Sequence, residues 1–276
     1  KNNEAEILVC SGNFHGRTTT IISFSDEEEY HKNFGPLTPG FRVIEFGNIE
    51  SLQNAITENT AALLIEPMQG EGGIIIPPTG YLSECAEICK KNNVLLIADE
   101  IQTGLGRTGK LLACDHENVL PDLLILGKAL GGGVMPVSMV LGKKEVMDIF
   151  VPGTHGSTFG GNPLAAAVGI EALNILVEEN LAQRSMTLGN YLIGELKKIK
   201  HPIITEIRGS GLWVGIEIDS KKYSARKICE KLMDRGLLTK ETHETVVRLA
   251  PPLIIEKKEI DWAVNEIRDV INASNQ

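Results

Sequence analysis

Between residues 60 and 126 the chain repeats one pattern: a short, almost unbroken apolar run, an amphipathic stretch, then another apolar run. The runs are Ala61–Ile65, Val94–Ala98 and Leu123–Leu126, and Tyr81–Asn92 lies between the first two. A strand that is apolar on both sides belongs inside a sheet covered on both faces, and a helix between strands is the crossover that parallel pairing needs. The expected fold class is therefore α/β, a mostly parallel sheet with helices on both faces, occupying residues 1–183. The stretch NPLAAAVGIEALNILVEE at 162–179 opens with Asn162 and Pro163 as N-cap and first helical residue and should be a long helix leaving this domain. Residues 184–276 read as a smaller α+β domain. Strands are expected at 203–208, 212–218 and 246–249, among helices at 182–199, 225–235 and 257–270.

Charge and composition narrow the function classes. Lys plus Arg total 27 against 36 Asp plus Glu, a net charge of −9. That is the wrong sign for neutralising phosphate backbones, so no nucleic acid partner is expected. No apolar run approaches the roughly 20 residues of a membrane span, so no membrane role is expected either. Five cysteines, an odd number thinly spread, suit reduced thiols and a cytoplasmic setting, or a mitochondrial matrix if a targeting segment has been removed. Cys85 and Cys89, one helical turn apart, should be buried. The six histidines form no i, i+4 pair, and no metal site is expected. GLGRTG at 104–109 fits G-x-G-x-x-G, but it does not follow its strand directly, and Leu111 stands where a phosphate loop needs a hydroxyl. It reads as a glycine-rich surface loop. No G-x-S-x-G elbow occurs, which removes hydrolase chemistry of that kind.

Two charges end apolar runs: Asp99 after VLLIA, and Lys128 after LLILG. In open parallel sheets the carboxyl ends of the strands form the ligand crevice, so an acid and an amine would converge there. A lysine against apolar walls loses solvation that favours its ammonium and becomes a nucleophile toward carbonyls. If the carbonyl is that of pyridoxal phosphate, a buried carboxylate must keep the ring nitrogen protonated, and Asp99 is the candidate. Each residue alone has an ordinary alternative, a turn-capping aspartate or a lysine reaching for solvent.

Six blocks in order, GNFHGRT (12–18), EPMQGEGG (66–73), ADEIQTGLGRTG (98–109), LGKALGGG (126–133), HGSTFGGNPL (155–164) and VRLAPPL (247–253), resemble the class III pyridoxal-phosphate aminotransferases. The resemblance implies that fold, with Lys128 as the Schiff-base lysine and proton shuttle and Asp99 as the pyridinium partner. It implies Gln102 at the ring hydroxyl, Phe14 on the ring face, and Ser157 and Thr158 as phosphate contacts given to the opposite subunit of a homodimer. FGPLTPGF (34–41), DEIQTGLGRTG and RLAPPLII look most like members acting on L-ornithine and 2-oxoglutarate; members acting on acetylornithine or 4-aminobutyrate share most other blocks. Glu66 falls among the substrate contacts by the same likeness, and Arg17 resembles the residue that fixes ornithine's carboxyl end. Arg248 resembles the arginine that clamps the α-carboxylate of 2-oxoglutarate, with Glu71 neutralising it while ornithine is bound. A non-catalytic binding or assembly subunit of the same fold is the alternative from another class. The family's pattern includes a long stretch before GNFHGRT, bearing a phosphate loop and part of the dimer interface; without it the phosphate cradle is incomplete. His15 stands where some relatives carry Trp.

Overall fold

The computed structural model describes residues 4–275, which fall into two compact units. Among the described residues the first comprises 4–67, 77–103 and 112–175; the second comprises 68–76, 104–111 and 176–275.

The first unit is built on six strands: β1 (Glu6–Cys10), β2 (Phe41–Ile44), β3 (Thr60–Ile65), β4 (Leu95–Asp99), β5 (Leu123–Leu126) and β6 (Met139–Gly142). Their order is β2-β1-β3-β4-β5-β6, parallel except for β6, which runs antiparallel to β5 at the edge. The unbroken apolar runs have the expected cause, because alternate residues point to opposite faces and both faces are packed. Leu8, Cys10, Leu63, Ile65, Leu96 and Ala98 pack with Leu52, Tyr81, Cys85 and Cys89, while Val9, Leu64 and Ile97 pack with Phe24. Cys85 and Cys89 are buried on the helix Tyr81–Lys91, as expected. Burial also pushes the Cys10 thiol up to about 12, so it stays protonated. The long helix runs Pro163–Glu178, and Asn162 Oδ1 accepts from Ala165 N at 2.8 Å, the capping bond its position calls for.

The second unit is a four-stranded antiparallel sheet, β7 (Ile204–Ser210), β8 (Trp213–Ile218), β9 (Lys240–Thr242) and β10 (Val246–Leu249), in the order β7-β8-β10-β9. Helices Leu181–Leu196, Ala225–Asp234 and Lys257–Asn272 cover the face bearing Val214, Ile216 and Ile218, with Leu196, Ile228 and Ile267 fully buried there. The other face of β8 holds Trp213, packed with Met68 and Ile74 from the segment 68–76.

The GLGRTG loop corrects an expectation. It belongs to the buried interior of this unit rather than the surface: Leu105 and Thr108 are buried, and a Cβ at Gly109 would lie 2.6 Å from Met186. Arg107 donates from Nη1 to the carbonyls of Leu212 (3.0 Å) and Pro251 (2.6 Å), and burial lowers its guanidinium to about 10. The glycines are needed for close packing, and the arginine serves main-chain carbonyls.

Candidate active site

In the first unit the candidate residues sit where strands end. Asp99 is the last residue of β4, paired with Ile125 of parallel β5, and Lys128 follows three residues after Ile125. The acid and the amine thus leave the sheet at the carboxyl ends of neighbouring strands. Asp99 is 5% exposed; its Oδ1 accepts from Ile101 N at 3.0 Å. His15 donates from Nδ1 to Asp99 Oδ2 at 2.7 Å. His15 Nε2 is buried without a partner among the described residues. The carboxylate is therefore oriented from two sides before any ligand arrives.

The loop after β1 brings His15 there. Asn13 Nδ2 donates to the carbonyls of Cys10 (2.7 Å) and Phe24 (3.2 Å), which tightens the turn. Phe14 N donates to Oε1 of buried Glu66 at 2.9 Å, just past the end of β3. Glu66, expected among the substrate contacts, is seen holding the backbone of the residue expected on the ring face. Beyond Asp99, Glu100 closes the turn that carries Gln102: its carboxylate accepts from Thr103 Oγ1 (2.5 Å), Ala113 N (2.9 Å) and Cys114 N (2.8 Å). Burial pushes this carboxyl up, and those three bonds pull it back in part.

Lys128 departs from one expectation. It is exposed rather than buried. It opens a 3-10 turn at φ 43°, a left-handed conformation unusual for a residue with a Cβ, which turns it off the strand axis. Ser157 and Thr158 are also exposed. Arg17 is exposed too, its guanidinium 3.7 Å from the centroid of the Tyr30 ring and 5.4 Å from that of Phe14.

The second unit assembles a row of cations. Across the antiparallel ladder Lys240, Arg248, Gly215 and Arg208 are register partners in turn. Gly215 leaves room for the segment 68–76, since a Cβ there would lie 3.3 Å from Ile74 and 3.4 Å from the Gly73 carbonyl. Arg208 fixes the segment, donating to the carbonyls of Gly73 (2.6 Å from Nη2) and Ile74 (3.0 Å from Nε). Glu71 then meets the other two cations: Arg248 Nη1 donates to Oε1 at 2.7 Å and Lys240 Nζ to Oε2 at 2.8 Å. Burial alone would raise the Glu71 carboxyl, but the hydrogen bonds and charges of Lys240 and Arg248 outweigh it and hold it at about 2.

The match to known proteins agrees with this layout. The family model described as "Aminotransferase class-III" matches residues 1–271. This chain belongs to the class III aminotransferases. It is 57% identical over 272 residues to the ornithine aminotransferase of Brevibacillus brevis, covering 99% of this chain and 67% of that protein. The Toxoplasma gondii ornithine aminotransferase, solved with PLP partially occupying its active site, superposes with a TM-score of 0.96 at 46% identity, over 99% of this chain and 65% of that one. The acetylornithine aminotransferase of Elizabethkingia anophelis follows with a TM-score of 0.85 and 43% identity, over 99% and 67%. The chain thus spans about two thirds of the length of these class III relatives.

Sequence reasoning missed His15 as the partner of Asp99, Lys240 as the second cation on Glu71, and Tyr30 beneath Arg17. The first two had no sequence signal beyond their type: the ladder register brings Lys240 to Glu71 across 169 residues, and His15 reaches Asp99 across 84.

Proposed function

We propose that this class III aminotransferase moves the δ-amino group of L-ornithine to 2-oxoglutarate, giving glutamate 5-semialdehyde and glutamate, with pyridoxal 5'-phosphate as cofactor. The observation that carries the reading is the exit of Asp99 and Lys128 from adjacent parallel strands, with the acid buried and already hydrogen-bonded. That donor set fits the cofactor, whose bound form supplies an aldehyde to take up the amino group and a ring that draws electrons from the reacting carbon. Asp99 holds a proton on the ring nitrogen, and His15 keeps Asp99 aimed. Lys128 Nζ anchors the cofactor and moves the proton at the reacting carbon. Phe14 covers the ring face, Gln102 bonds the ring hydroxyl, and Ser157 and Thr158 hold the phosphate of the opposite subunit.

The two substrates differ in where their carboxylates stand relative to the reacting carbon. Arg17 takes the carboxyl end of ornithine; Arg248 takes the α-carboxylate of 2-oxoglutarate, and until then Glu71 pairs with it while also holding Lys240. The working form is a homodimer, supported by the exposed Phe159, Leu164 and Ile170, apolar side chains that a partner would cover. Among the described residues no helix is long and apolar enough to cross a membrane. A cytoplasmic setting, which suits five buried thiols, completes the reading.

The test is turnover by the full-length protein, supplied with the cofactor, of L-ornithine, acetylornithine and 4-aminobutyrate in one assay. Ornithine should have the highest kcat/KM. A higher value for acetylornithine or 4-aminobutyrate would replace the substrate, and no transfer from any amine would favour the non-catalytic alternative.

A further inference from the structure

We infer that Tyr30 is a positioning residue for substrate specificity, holding Arg17 ready for a carboxylate. The inference rests on reading Arg17 as the contact for ornithine's carboxyl end, and it assigns to Tyr30 a role outside the motif blocks.

Arg17 is exposed and carries a long side chain, which free in solvent would sample many rotamers. Its guanidinium instead lies 3.7 Å from the centroid of the Tyr30 ring, well within the range of a cation–π contact. Tyr30 sits on the short helix Glu28–His31 and is half-buried. Its ring meets Phe14 in an edge-to-face contact, centroids 5.9 Å apart and planes at 79°, and the Phe14 backbone is tied to buried Glu66. A chain of contacts therefore runs from Glu66 through Phe14 and Tyr30 to Arg17.

The choice of a ring over an acid has a chemical consequence. A carboxylate partner would occupy in-plane N–H donors of the guanidinium and offset its charge, as Glu71 does in part for Arg248 through Nη1. A ring face restricts the side chain while leaving the in-plane donors available to a bidentate carboxylate. Ornithine carries such a carboxylate remote from its δ-amino group; putrescine is the same diamine without it.

The experiment measures single-turnover amino transfer to the full-length, cofactor-loaded protein from L-ornithine and from putrescine. The proteins compared are wild type, Arg17→Gln, Tyr30→Leu, Tyr30→Phe and Tyr30→Trp. Tyr30→Leu should weaken ornithine use about tenfold, mainly through substrate affinity, and leave putrescine within about twofold. Tyr30→Phe and Tyr30→Trp keep a ring face and should retain the preference for ornithine. Equal losses on both amines with Tyr30→Leu, or loss of the preference in Tyr30→Phe, would overturn the inference by showing a structural or hydroxyl role. Should Tyr30→Leu prove unstable, Tyr30→Met, which keeps bulk without a π face, is read in the same way. If Arg17→Gln leaves the ornithine-to-putrescine ratio unchanged, the reading of Arg17 fails and the role of Tyr30 falls with it. If only the Tyr30 variants leave the ratio unchanged, Arg17 stands and Tyr30 is eliminated.

Discussion

The two units place their charged residues by different logics. In the first, the candidates lie at or just beyond strand ends, where Asp99, Glu66 and Lys128 leave the sheet. In the second, Lys240, Arg248 and Arg208 lie within a sheet, aligned by ladder register across Gly215. Parallel strands packed on both faces have no room for charge along their length, so chemistry collects at their ends. An antiparallel sheet can spend one face on a core and the other on polar work. The two key carboxylates differ accordingly. Asp99 is fixed by a backbone N–H and a histidine whose side chain is buried, whereas Glu71 is held by two side-chain cations.

This contrast breaks most sharply at Lys128. Lys128→Ala should lower kcat by about a thousandfold or more in both half-reactions, as expected for loss of the group proposed to move the proton. Borohydride reduction followed by peptide mass spectrometry should also no longer tag the peptide spanning residue 128. Arg248→Gln should separate the two halves instead. Loss of a charge-assisted carboxylate contact worth about 2–4 kcal/mol raises KM for 2-oxoglutarate roughly 30- to 1000-fold. The ornithine half-reaction should stay within about threefold, and an equal loss in both would make Arg248 structural.

A smaller effect tests the fixed carboxylate. His15→Phe deprives a buried oxygen of Asp99 of its donor, at a cost of about 1–3 kcal/mol, and should lower kcat about tenfold at unchanged KM for 2-oxoglutarate. Packing within the second unit can be probed without touching charge. A Cβ at Gly189 would fall 2.0 Å from the Gly211 carbonyl oxygen, so Gly189→Ala should destabilise the protein by about 1–3 kcal/mol in thermal unfolding. The smallest effect concerns pH. The Glu71 carboxyl lies at about 2 against an ordinary 4.5, so its ion pairs contribute stability that is complete above 4.5 and lost as pH falls toward about 2. Acid unfolding of the protein and of Glu71→Gln should therefore diverge above that window and converge at its lower end. The preference between ornithine and glutamate as donors should not follow Glu71 titration near neutral pH.

Much of the fold was legible because its signals are local. The double-sided apolar runs gave away β3, β4 and β5, and Asn162 with Pro163 marked the start of the long helix. The expected strand at 246–249 matches β10 as observed. The antiparallel edge strand β6 was not singled out, since its four residues are all exposed and carry no burial pattern. GLGRTG misled in the opposite direction: a glycine-rich string looks like a surface loop, yet Gly109 lies against Met186, and residues 107–109 lie against Gly211, where a Cβ would not fit. The exposure of Lys128 was equally unreadable, because a left-handed turn after a strand depends on where the chain goes next.

What the amino-acid order determined by itself is the kind of chemistry on offer: an amine and an acid at the ends of apolar runs, arginines in recognisable settings, and the alternation that makes a parallel sheet. Which charges meet was decided by tertiary structure. His15 reaches Asp99, Lys240 joins Arg248 on Glu71, and Arg17 finds the face of Tyr30 only once strands are registered and loops are pinned. Hydrophobic periodicity is written along the chain, whereas electrostatic partnership acts over a few ångströms in space and has no period to read.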